Sequence, residues 1–259
     1  MATTVMRKLL LLLALLAISA IASSDLRAQT VSEYVSSIQA KENEFKEEEA
    51  FSIAQTAVRK YPKNVQLLCR ASVLASKVGN RKSTNAERKT AFTTAKVLAQ
   101  QAVKIEPKNA TCNLVLAIAM GRMALIGSIN EKVAASRDIQ KYSTLAVQLD
   151  PKLGMAWHVL GRYNYEVSQL STLEKKAAQT LMGGLPEGDL KTAISCFEKC
   201  YALDKTYITN LIDLAKAYIK AKRNADAKRV LGEIATAPRR FTDDLKFKEE
   251  AATLLKTLK

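Results

Sequence analysis

Few side chains in this sequence have the types and spacing that chemistry needs. His158 is the single histidine, which leaves a histidine-based triad or metal site without its other members. The four cysteines stand at 69, 112, 196 and 200. Cys196 and Cys200 are four apart on one expected helix, a poor geometry for a bridge. No third cysteine or neighbouring histidine completes a metal set around them. Cys69 and Cys112 fall at matching places on different helices and can approach each other. Gly183-Gly184 lacks the Lys-Ser/Thr that a phosphate loop needs. Asn109-Ala110-Thr111 is a glycosylation triplet that matters only in a eukaryotic host. With no nucleophile–base pair, phosphate loop or metal cluster, the chain is expected to be no enzyme, with no catalytic residue, cofactor, metal or small-molecule substrate.

What remains is charge. The 259 residues hold 40 Lys+Arg against 25 Asp+Glu, a formal net of +15, with 6% aromatics and 9 glycines. Such a surplus attracts anionic surfaces, so a charge-driven binder of membrane surface or nucleic acid is the alternative reading. The basic residues are spread along the chain in short blocks and no nucleic-acid motif is present, so nucleic acid is not the expected partner.

The elements come next. Residues 1–28 read as an export signal: Arg7 and Lys8, an uncharged apolar run of 14 residues from Leu9 to Ala22, then Ser23-Ser24-Asp25. The run is short for a membrane span, which takes about 20 apolar residues, and suits a cleaved signal peptide. The preferred cut follows Ala28. No other stretch is apolar enough to span a bilayer, so the mature chain is expected in the periplasm or secreted. Without Arg7, Lys8, Arg27 and Asp25 its charge is still +13.

From residue 29 to 259 the pattern is all-α. Val31, Tyr34, Val35 and Ile38 have helical spacing, and Glu47-Glu48-Glu49 suits the next helix start. Then small residues recur before a helix stop. Ala50, Ala54 and Ala57 precede Tyr61-Pro62; Ala95, Ala99 and Ala102 precede Glu106-Pro107; Ile139 and Ala146 precede Asp150-Pro151; Ala193, Phe197 and Cys200 precede Asp204-Lys205. The prolines at 62, 107 and 151 are 45 and 44 residues apart. Proline cannot continue a helix and fixes the turn, and small residues let helices approach almost to backbone contact. This resembles the tetratricopeptide repeat, a helix pair of about 34 residues, here with longer helices or loops. The expected fold is a right-handed α-solenoid of such pairs. Ser171 to Met182 is an inserted helix, and Phe241 to Leu258 a C-terminal cap of the kind solenoid ends need.

Three segments, AWHVLGRYNYEV, STLEKKAAQTLMG and AISCFEKCYALD, resemble the regulator of microtubule dynamics family. The resemblance is most specific from Ala156 to Gly183, with Lys175 and Thr172 departing from the residues common there. It implies an α-solenoid adaptor.

Solenoid pairs line their concave face with the first helix of each pair. Aligning units on their closing residues places Lys77, Arg122, His158, Arg162, Tyr165, Lys216 and Lys220 there, beside apolar or small groups. Such a groove suits an acidic peptide: arginine holds a carboxylate with two parallel hydrogen bonds and the wall supplies apolar contact. The expected function is an exported scaffold that binds a protein or peptide through this face. His158 and Trp157 have packing as their simpler role, and the inserted helix has the reach to cover part of the groove.

Overall fold

The computed structural model describes residues 29–184 and 188–258; the expected signal peptide lies outside them. Twelve helices are seen among the described residues. They are α1 Val31–Asn43, α2 Glu47–Lys60, α3 Val65–Arg81, α4 Asn85–Ile105, α5 Ala110–Ile126 and α6 Ile129–Leu149, followed by α7 Gly154–Gln169, α8 Thr172–Met182, α9 Leu190–Leu203, α10 Ile208–Lys220, α11 Asn224–Thr236 and α12 Asp244–Thr257. None of these helices is long and apolar enough to cross a membrane.

Local sequence sets the boundaries. After Pro62 and Pro107, Asn64 and Asn109 accept hydrogen bonds from the backbone N–H groups of Leu67 and Cys112 and open α3 and α5. Thr84 with Glu87, Ser128 with Glu131 and Ser171 with Glu174 form reciprocal capping boxes at α4, α6 and α8. Each such cap contributes about 1 kcal/mol. The inserted helix therefore has its own start signal, and Gly183 ends it at φ 71°, the left-handed region that glycine enters without strain.

Antiparallel pairs α1/α2, α3/α4, α5/α6, α7/α9 and α10/α11 stack in order, with α12 closing the end. The first helices also touch each other, α3 to α5, α5 to α7, α7 to α10 and α10 to α12. They form the inner layer of a right-handed α-solenoid of tetratricopeptide type. The small residues do what the spacing predicts: Ala50, Ala54, Ala57, Ala95, Ala99, Ala102, Ala146, Ala193 and Cys200 are fully buried. The glycine–aromatic contacts repeat as well. Gly79 on α3 faces the Phe92 ring on α4, and Gly161 on α7 faces the Phe197 ring on α9. Both rings are sealed in the core.

The inserted α8 packs against α6, a second helix on the outer side, where Arg137 donates to the Gly184 carbonyl at 2.8 Å. Its packing is on this second helix and not on the first helices of the inner layer.

Candidate functional site

A different segment reaches across the inner layer. Between α11 and α12, residues 237–243 form a strap to the start of the solenoid. Its Thr242 hydroxyl donates to Glu47 on α2 at 3.0 Å, a contact across 195 residues. Asp243 lies 3.6 Å from Arg81 Nε on α3. Arg239 stacks on the Phe45 ring, 3.8 Å from its centroid. Phe45 sits in the α1–α2 turn at φ 59°. Phe241 lies edge-on to Tyr207, 6.1 Å between centroids, with Lys77 Nζ 4.9 Å from its own. Arg240 pairs with Asp204. The strap is pinned from below: Asp244, buried at the start of α12, accepts from the backbone N–H groups of Arg240 and Phe241, both at 2.8 Å. A cavity of about 160 Å³ opens between Phe241, Tyr207, Met155, Cys200 and Asp204.

Inside the strap lies a polar cluster. Asp213, on α10, is buried among apolar neighbours and needs a counter-charge there. Arg162, on α7, supplies it: its Nη1 donates to both carboxylate oxygens, at 3.1 and 3.3 Å. Its other terminal nitrogen donates to Glu166 at 3.0 Å. Burial would lower the Arg162 pKa, but Asp213 and Glu166 outweigh it and raise it. His158, one turn earlier on α7, has Nε2 3.7 Å from Asp213 and Nδ1 3.3 Å from Asn210 Oδ1. Asn210 is oriented by its amide, which donates to the Phe197 carbonyl at 3.0 Å. Nδ1 is thus the donor to Asn210, and the ring is neutral: burial pushes its pKa down to about 4 despite the pull of Asp213. The ring also packs on Phe197 and Tyr207 at 5.8 and 5.3 Å.

Arg122 comes from α5 and faces the same cluster. Burial, and then Arg162, holds its guanidinium below the usual arginine range. Its Nε is sealed from solvent and has no hydrogen-bond partner. Arg162 and His158 therefore face the buried carboxylate of Asp213 directly, and Arg122 feels it only at a distance.

Of the seven residues the sequence singles out, Arg122, His158 and Arg162 come together around Asp213. Tyr165 lies a turn beyond Arg162, half-buried against the α9–α12 core. Lys77 is at the strap, bridging Glu42 and Glu47. Lys216 turns to Glu250 on the capping helix at 2.6 Å. Lys220 is exposed at the end of α10. Sequence reasoning missed Asp213, Asn210 and the strap. Asp213 left a signal: an acid between the apolar residues Leu211, Ile212, Leu214 and Ala215 calls for a counter-charge. The strap left none, since Phe241 sits in an aperiodic connection.

The tempting thiols do not form a site. Cys196 and Cys200 are buried, and burial pushes them up to about 11 and about 12, far from the thiolate that nucleophiles and ligands need. Cys69 and Cys112 do meet, Sγ to Sγ 3.7 Å, as free thiols. Trp157 packs: its ring N–H donates to the Pro151 carbonyl at 2.8 Å and Lys199 lies over its face. Among the described residues no acid, cysteine and histidine group has the form of a metal site.

Helix pairs stacked through their first helices, with a basic cluster on the inner layer, define a tetratricopeptide α-solenoid. A solved tetratricopeptide protein of Thermus thermophilus has the same architecture, with a TM-score of 0.57 at 16% identity, over 82% of this chain and 91% of that one. The sequence matches the family described as Regulator of microtubule dynamics protein 1-3 over residues 33–259, and the chain belongs to that family. It is 25% identical to the rat regulator of microtubule dynamics protein 2 over 84% of this chain and 53% of the relative. With the human protein 2 it shares 28% over 68% of this chain and 44% of the relative. The chain spans about half the length of these curated relatives.

Proposed function

We propose that this chain is a non-catalytic scaffold, exported by its N-terminal segment, that binds a protein or peptide through the inner layer of its solenoid. One observation carries the reading. The strap lies against that layer as a short irregular peptide would, with an aromatic ring between Tyr207 and Lys77 and charged side chains on either hand. The inner face has the aromatic and charged groups that hold such a segment. The relatives are named for microtubule dynamics, and an exported chain need not share that partner.

The test is capture from the cell-envelope fraction of the host at physiological salt. The native chain is compared with Tyr165→Ala/Lys220→Glu, a variant that leaves the Arg122 cluster intact and is first shown by circular dichroism to be helical. A discrete protein held by the native form and lost by the variant supports the reading. Equal retention of anionic lipid or nucleic acid by both, released by moderate salt, refutes it in favour of net charge.

A further inference from the structure

Arg122 is a half-buried cation whose Nε is sealed from solvent, and among the described residues no acid forms an ion pair with it. Asp213 is already engaged by both Arg162 contacts and faced by His158. Asp243, across the cluster on the strap, is held by Arg81. Both acids act on Arg122 only at a distance, Arg162 repels it, and its Nε has no acceptor. A guanidinium is a rigid fork of five donors shaped for a planar oxyanion.

We propose that Arg122 is the receiving group of a carboxylate-binding site on the inner layer, and that its occupant is an acidic side chain of a partner peptide. The site rests on the inner-face reading above and gives its partner a chemistry. The strap indicates the rest of that chemistry. It places an aromatic, Phe241, on Tyr207, with the carboxylate of Asp243 two residues on in the electrostatic reach of Arg122. Anchored to α11 and α12, the strap gives that carboxylate to Arg81. A free segment with the same aromatic-x-acid order is not so tied. Its ring takes the place of Phe241 and its carboxylate reaches Arg122. The strap is then a resident competitor that the partner displaces.

The experiment follows the side-chain Nε–Hε signals of arginine by NMR in the mature chain, with Arg122 assigned through Arg122→Lys. The probes are a blocked Phe-Thr-Asp peptide, its Phe-Thr-Asn counterpart, acetate, inorganic phosphate and chloride at matched ionic strength. The expected result is a saturable shift of the Arg122 signal with Phe-Thr-Asp, weaker with acetate and absent with Phe-Thr-Asn or chloride. Phe241→Ala, which loosens the competitor, should tighten peptide binding. Arg122→Met should weaken it about tenfold or more by calorimetry while the chain stays folded. An Arg122 signal that no carboxylate moves, even in Phe241→Ala, overturns the proposal. So does phosphate binding tighter than the peptide, which would make this a site for a free anion. Loss of envelope capture with peptide binding intact would remove the scaffold reading and keep the site; capture unaffected by Arg122→Met would do the reverse.

Discussion

Arg122→Met and Arg162→Met remove the same charge from neighbouring positions and should change stability in opposite directions. Among the described residues Arg122 has no ion pair, so its desolvation is offset only at a distance, and replacing a buried charge with an apolar side chain of similar volume stabilises by about 1–4 kcal/mol. Its side chain keeps some exposure, which places the expected gain near the lower end, about 1–2 kcal/mol. For a chain of this length that is a rise in Tm of about 2–8 °C. Arg162→Met instead strands Asp213, whose side chain is 8% exposed. Breaking a buried pair costs about 3–5 kcal/mol. Arg162 is itself 44% exposed, so solvent screening reduces the expected loss to about 1–3 kcal/mol. Arg122 is then a cation still within electrostatic reach of Asp213, so the double variant should lose more than the two single changes sum to. Urea denaturation of the native chain and the three variants, with equal m-values, measures all four. If Arg122→Met destabilises as Arg162→Met does, Arg122 is a structural counter-charge and not a group held for a ligand.

Gly161→Ala should destabilise by about 1–3 kcal/mol, because its Cβ would stand 2.7 Å from the buried Phe197 ring, outweighing a helix-propensity gain of about 1 kcal/mol; Gly232→Ala, with nothing within 4 Å, should keep that gain. Thermal melts of the two variants read the signs, and equal effects would remove the packing argument. The lowered pKa of His158 makes the unfolded chain bind the extra proton, so its contribution is complete above about 6.5 and is lost as pH falls toward about 4, on the order of 3 kcal/mol. His158 faces Asn210, Asp213, Arg162 and Arg122, and His158→Gln should flatten the stability profile over that window only. Mild oxidation should join Cys69 to Cys112, already 3.7 Å apart, and leave Cys196 and Cys200 as thiols. Closing that loop should add up to about 4 kcal/mol; peptide mapping and urea midpoints check both, and a bond that forms only after unfolding would refute the native proximity.

Much of the fold was legible because its determinants are local. The Pro-Lys-Asn turns, the capping boxes at Thr84, Ser128 and Ser171, and the alanines every three or four residues each act within a turn or two of helix. The approach of Cys69 to Cys112 was legible from repeat alignment, since matching positions on adjacent first helices can lie side by side. The direction of the inserted helix was different. Its start and stop are written in Ser171 and Gly183, but its packing against α6 depends on where the preceding pair leaves room.

The sequence by itself determined that this chain is a stack of helix pairs, and its repeat spacing put Arg122, His158 and Arg162 on first helices of those pairs. Only the tertiary structure decided what the inner layer is. It set Asp213 against Arg162 and left Arg122 without an ion-pair partner among the described residues. It also laid Phe241 and Asp243 across residues nearly two hundred positions earlier. Those contacts arise from the superhelical turn accumulated over five pairs, a sum of small rotations that no short stretch of sequence encodes.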